Sequence, residues 1–113
     1  KINSPDYRYE EINNHTPMYE LYTATSADIN REMILQKDAK SPGLGSTDMG
    51  NISQVFPSIH PMLSIDAKNA VNHQPEYAAA TITLGGHKAI YDGAYAMGTT
   101  IIDLAEKNLW DSL

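Results

Sequence analysis

Histidine has the widest chemical range of any residue type here, and one of the four copies stands where it can act. His73 follows a polar loop and precedes Pro75, Glu76 and Tyr77, a run that predicts a helix start. Neutral imidazole is a common zinc ligand, and a helix start would hold it rigidly. The chain has no cysteine, so any metal must be bound by His and carboxylate. A loop histidine that caps the helix or faces solvent fits the same pattern. Glu76 can orient the imidazole as a hydrogen-bond acceptor, or it can simply favour the positive end of the helix.

A second cluster is Ser46-Thr47-Asp48, preceded by Gly45. Hydroxyls and backbone N–H groups behind a glycine can cradle a carboxylate or a developing oxyanion. The plainer reading is a helix cap, with Thr47 or Asp48 accepting from backbone donors. His60 lies between Pro57 and Pro61, which restrict its direction. It can contact a substrate or pack as a loop histidine. His15 and His87 read as structural or exposed. There is no Gly-x-Ser-x-Gly elbow, P-loop, complete dinucleotide fingerprint or His-Glu-x-x-His helix.

Gly45 to Asn51, Val55 to Pro61 and His73 to Tyr77 are each short, but their order and spacing form a pattern. It resembles the C-terminal part of zinc amidohydrolases of the aminoacylase and carboxypeptidase G type, in the branch of aminobenzoyl-glutamate hydrolases and amidohydrolase-like dipeptidases. The resemblance runs over roughly residues 7 to 107. It implies an α/β fold, the C-terminal portion of a catalytic domain with helices packed on a mixed sheet. Residues 1–15 would be the connector leaving a lid domain, and residues 16–113 the C-terminal segment of the catalytic domain. It implies a pair of zinc ions in the complete enzyme, with His73 as the last ligand and Glu76 behind it. Ser46, Thr47 and Asp48 would line the substrate pocket, with His60 beside them. The substrate would be a small peptide or N-acyl amino acid, hydrolysed by a zinc-activated water. The other metal ligands and the general base lie upstream in such enzymes, so this chain alone is expected to be inactive and to bind zinc weakly. The alternative is a non-catalytic α/β module for interaction or anion binding.

Composition narrows the partners. The net charge is −6 and no block of like charges exceeds the pair Glu10-Glu11, so nucleic acid and anionic membrane are poor partners. No apolar run is long enough to span a bilayer and no signal peptide is visible, so the expectation is a cytoplasmic protein; a homo-oligomer is expected as well. At 42% hydrophobic and 19% charged over 113 residues, the chain has the make-up of one modest globular domain or part of one.

The elements that must position these residues follow from periodicity. Thr16-Pro17 predicts a helix start, and Tyr19, Tyr22, Ile29 and Met33 share a face over a helix from about 17 to 35. Lys40 to Gly45 is turn chemistry. A short helix through Val55 is predicted after Ser46, Thr47 or Asp48, ended by Pro57. Met62-Leu63-Ser64-Ile65 reads as a strand and Asp66 to Asn72 as a loop. From Pro75 to Lys107 the pattern is helical, as one helix or two elements, with Thr81 to Gly86 as the interruption. Ile90, Ala94, Met97, Ile101 and Leu104 form the expected buried stripe, and Ala89, Ala96 and Gly98 would permit close approach of a neighbour.

Overall fold

The computed structural model describes residues 8–34 and 47–112. They form α1 (Thr16–Asp28), α2 (Met49–Ser53), α3 (Pro75–Thr81) and α4 (Leu84–Glu106), then a 3-10 turn at Trp110–Ser112. Among the described residues there is no strand, only an isolated parallel bridge between Asn14 and Ser58. The expected α/β architecture of helices on a mixed sheet is therefore corrected to a helical one.

The reason is visible in where the extended segments find their hydrogen bonds. A strand needs a neighbouring backbone, but here side chains take that place. The segment before α1 crosses α2. Asn51 Nδ2 donates to the Arg8 carbonyl at 2.8 Å, Gln54 Nε2 to the Glu11 carbonyl at 2.8 Å, and the Asn13 N–H donates to Ser53 Oγ at 2.9 Å. Gly50 lies beneath this crossing, and a Cβ there would fall 1.9 Å from the Glu10 carbonyl oxygen. Met62–Ile65, the expected strand, runs unpaired along α4. Its Ser64 carbonyl accepts from Arg31 Nη1 at 2.9 Å, and Leu63 Cδ1 packs over Gly93, 3.1 Å from where a Cβ would stand.

α1 is shorter than its apolar spacing suggests. His15, not Thr16, is the residue preceding the helix, and its N–H donates to the Ser58 carbonyl at 2.9 Å. The helix ends at Asp28 because Asn30 adopts a left-handed φ of 59°. The Asn30 N–H then reaches the Ala27 carbonyl at 3.0 Å and the Arg31 N–H the Ser26 carbonyl at 2.7 Å, the paired bonds of a Schellman cap. Ile29 and Met33 are left beyond the helix, and the buried face is Leu21, Tyr22, Thr25 and Ser26.

Residues 75–107 are two helices. Pro75 opens α3, and Thr83 caps α4 by accepting from the Gly86 N–H at 3.4 Å while donating to the Ala80 carbonyl at 2.8 Å. Gly86 must be small, since a Cβ would lie 2.2 Å from the Thr81 carbonyl oxygen. α4 ends with the same asparagine device as α1. Asn108 has φ 51°, the Asn108 N–H reaches the Ala105 carbonyl at 3.1 Å, and the Leu109 N–H reaches the Leu104 carbonyl at 2.9 Å.

α1 packs on α4 through small residues. The buried face of α4 is Gly86, Ala89, Gly93, Ala96, Thr100 and Leu104. The expected stripe is thereby corrected: only Leu104 of that set is buried, while Ile90 is 67% exposed, Met97 54% and Ile101 57%. Small residues win the inner face because they let two helix backbones approach closely. Ala89 and Ala96 serve as expected, whereas Gly98 has nothing near it. The buried apolar set of Leu21, Tyr22, Ala89, Ala96 and Leu104 is thin. The radius of gyration is 16.2 Å, against about 13 Å for a compact domain of this length. No helix among the described residues is long and apolar enough to cross a membrane.

Candidate functional site

His73 sits in the turn that delivers the chain to α3, exposed and with a left-handed φ of 66°. That backbone is uncommon for any residue other than glycine, though histidine is among those that tolerate it. Asp66 and Lys68 in the same loop also have positive φ, 58° and 56°. The Gln74 N–H donates to the Val71 carbonyl at 3.3 Å, and the Gln74 carbonyl accepts from the Tyr77 and Ala78 N–H groups at 3.1 Å, which starts α3. The loop thus forms a concave face. An open hollow of about 460 Å³ there is lined in part by Lys68, Asn69, Gln74 and Glu76, and His73 is not among its lining residues. Glu76 occupies the first turn of α3, exposed, where its charge favours the helix dipole.

Thr47 and Asp48 stand at the start of α2, while Ser46 and Gly45 lie outside the described residues. Thr47 Oγ1 accepts from the Met49 N–H at 3.3 Å and the Thr47 carbonyl from the Gly50 N–H at 3.3 Å. Asp48 makes no side-chain cap bond and is exposed. Of the two readings offered for this cluster, the geometry gives Thr47 the local turn role. His60 is exposed, and its N–H donates to Asn14 Oδ1 at 3.4 Å. His15 is half-buried at the start of α1, and His87 is exposed on α4.

The candidates therefore fall into two groups. Thr47, Asp48 and His60 belong to the end built around residues 8–15, and His73 and Glu76 to the turn before α3. The helix pairs that pack extensively are α1 with α4 and α3 with α4. Among the described residues, no group of three or more His, Asp or Glu side chains could hold a metal ion. His73 can furnish one imidazole, so it fits a metal centre only as one ligand of several.

Two polar features escaped the sequence reading. The first is an ionic cluster on the flank of α4. Asp92 Oδ2 accepts from Lys88 Nζ at 2.5 Å and from Arg31 Nε at 2.7 Å. The Lys88 ammonium, and then the Arg31 guanidinium, hold the Asp92 carboxyl below the usual carboxylate range. The i,i+4 spacing of Lys88 and Asp92 was the available signal. Arg31 also holds Ser64, so one side chain ties the end of α1, the 62–65 segment and α4 together. The second is the clamp of Asn51, Ser53 and Gln54 on residues 8–13, which has no periodic signature. Burial raises the pKa of the Tyr22 phenol, while the adjacent Ser26 hydroxyl and Arg31 pull it the other way. Ser26 Oγ itself is fully buried and lies beside that phenol without a well-formed hydrogen bond.

Two known proteins are similar to this chain. The Xaa-Arg dipeptidase of Mus musculus is 28% identical over 106 residues, and that of Homo sapiens is 27% identical over 107 residues. The matches cover 94% and 95% of this chain but 24% of each relative, so the chain spans about a quarter of the length of the proteins it resembles. No family model matches the sequence. No solved structure matches it either. The likeness places the chain beside peptidases of the dipeptidase kind, at a loose level.

Proposed function

We propose that this chain is the C-terminal part of a metal-dependent amidohydrolase that cleaves the amide bond of a dipeptide or N-acyl amino acid. The observation that carries the reading is the similarity to two Xaa-Arg dipeptidases across nearly the whole chain. In this reading residues 1–15 leave a lid domain and residues 16–113 complete the catalytic domain. His73 supplies the last metal ligand, a role that its left-handed turn before α3 supports. A zinc ion held by His73 and by ligands elsewhere in the polypeptide would polarise the amide carbonyl and lower the pKa of a bound water. Glu76 orients the imidazole, and Ser46, Thr47, Asp48 and His60 contact the substrate. The 113 residues alone do not hydrolyse amides, because the remaining ligands and the general base are supplied from outside them. The complete enzyme is a cytoplasmic homo-oligomer.

The test is the mass and metal content of the natural polypeptide, with His73→Ala beside it. A chain about four times longer, carrying a pair of zinc ions and losing one equivalent in His73→Ala, is the expected result. A natural chain of 12.5 kDa without metal retires the reading. Unchanged metal content and dipeptidase turnover in His73→Ala retires the role of His73.

A further inference from the structure

α4 is apolar on more sides than α1 can cover. Its inner face is taken by small residues against α1, yet Ile90, Tyr91, Tyr95, Met97, Ile101 and Ile102 are each more than half exposed. At helical spacing these six sweep an arc that contains no Asp, Glu, Lys or Arg. The charges of the helix middle, Lys88, Asp92 and Asp103, are gathered on its other flank, where they pair with Arg31, with each other or with Lys107. The arc also runs into a hollow of about 250 Å³ lined by Leu63, Ile65, Thr81, Gly86, Ala89 and Ile90. A helix that is apolar on two of its sides, with its charges confined to one flank, has more apolar surface than one neighbour covers, and patches this extensive mark contact surfaces.

We propose that this outward face of α4, with the Leu63–Ile90 hollow, is the seat of the remainder of a longer polypeptide of which this chain is one part. The inference rests on the reading above and extends it to a specific surface. Three observations choose this occupant. The relatives are about four times as long as the matched segment, so their counterpart segment has some three-quarters of a further chain available to cover it. The radius of gyration of 16.2 Å and the thin buried set show a core that this chain does not close by itself. The arc is uncharged, which fits an apolar interior surface, and the chain's net charge of −6 opposes an anionic membrane.

Hydroxyl-radical footprinting of the natural polypeptide, read by mass spectrometry at Tyr91, Tyr95, Met97 and Ile101, tests this. The expected result is labelling at least about fivefold slower than in the denatured chain, unchanged on dilution of a monomeric sample. Labelling at the denatured rate overturns it. Protection that disappears as an oligomer dissociates overturns it in favour of a second copy, and protection that needs added lipid vesicles overturns it in favour of a membrane surface. A natural polypeptide no longer than this chain also overturns it. Dipeptide hydrolysis is assayed on the same sample. A protected face without hydrolysis leaves the packing surface standing and retires the enzymatic reading; hydrolysis with a freely labelled face retires only the packing surface.

Discussion

Gly50→Ala tests the idea that side chains replace a sheet partner for the segment entering α1. A Cβ at Gly50 would stand 1.9 Å from the Glu10 carbonyl oxygen and 2.8 Å from its carbon. Both are backbone atoms, so no side-chain rotation relieves the clash. The segment must withdraw by more than an ångström to regain ordinary van der Waals separation. That movement strains the bonds from Asn51 to Arg8, from Gln54 to Glu11 and from Asn13 to Ser53. Each contributes about 0.5–1.5 kcal/mol, at the lower end for those near solvent. Overpacking adds about 1–3 kcal/mol, and the better helix propensity of alanine returns about 1 kcal/mol. The net cost is about 2 kcal/mol, or about 10 °C in Tm for a chain of this size. The control is Gly98→Ala in α4, where nothing lies within 4 Å. That substitution should stabilise by up to about 1 kcal/mol. Thermal unfolding of the two variants beside the parent, followed by far-UV circular dichroism, reads the difference. If Gly50→Ala unfolds at or above the parent temperature, the tight crossing over α2 does not exist.

Other substitutions probe the α1–α4 interface and its flank. Leu104→Ala removes a side chain that is 1% exposed and should lower stability by about 2–5 kcal/mol in urea unfolding. Ser26→Ala removes a buried hydroxyl that lies beside the Tyr22 phenol without a well-formed bond to it and should change stability by no more than about 1 kcal/mol, measured the same way. Asp92 has a folded pKa below its unfolded value. Its contribution is therefore fully present above the unfolded pKa and is lost as pH falls through the folded one. Asp92→Asn should narrow its stability gap to the parent as a urea titration moves from neutral pH into the acid range; a gap that does not change with pH would contradict the pairing with Lys88 and Arg31.

Much of the helical layout was legible. Thr16-Pro17 and Pro75 mark starts that the structure keeps within one residue, because proline presets a helical φ and has no N–H to leave unpaired. α2 stops at Ser53, two residues short of the expected Val55 and before Pro57 is reached, and Asp66 to Asn72 is a loop. The C-terminal ends were misread because the sequence reading followed apolar spacing instead of asking which residue could turn left-handed. Asn30 and Asn108 do so, and each terminates its helix with paired backbone bonds. The candidate site was legible as residue types. His73, Glu76, Thr47, Asp48 and His60 all lie in loops, turns or first turns, where glycine, proline and asparagine chemistry puts polar side chains near the surface.

The sequence by itself determined where this chain must turn, where its helices begin and which residues carry titratable chemistry, since these are local properties of proline, asparagine, glycine and histidine. Only the tertiary structure decided which face of α4 is inward. Periodicity favours the large residues Ile90, Met97 and Ile101, but the packing of α1 and of the 62–65 segment on α4 buries Gly93, Ala96 and Thr100 instead. It also decided that residues 8–13 and 62–65 lie unpaired. An extended segment becomes a strand only if a second backbone arrives, and in the described chain the amides of Asn51 and Gln54 and the guanidinium of Arg31 arrive first.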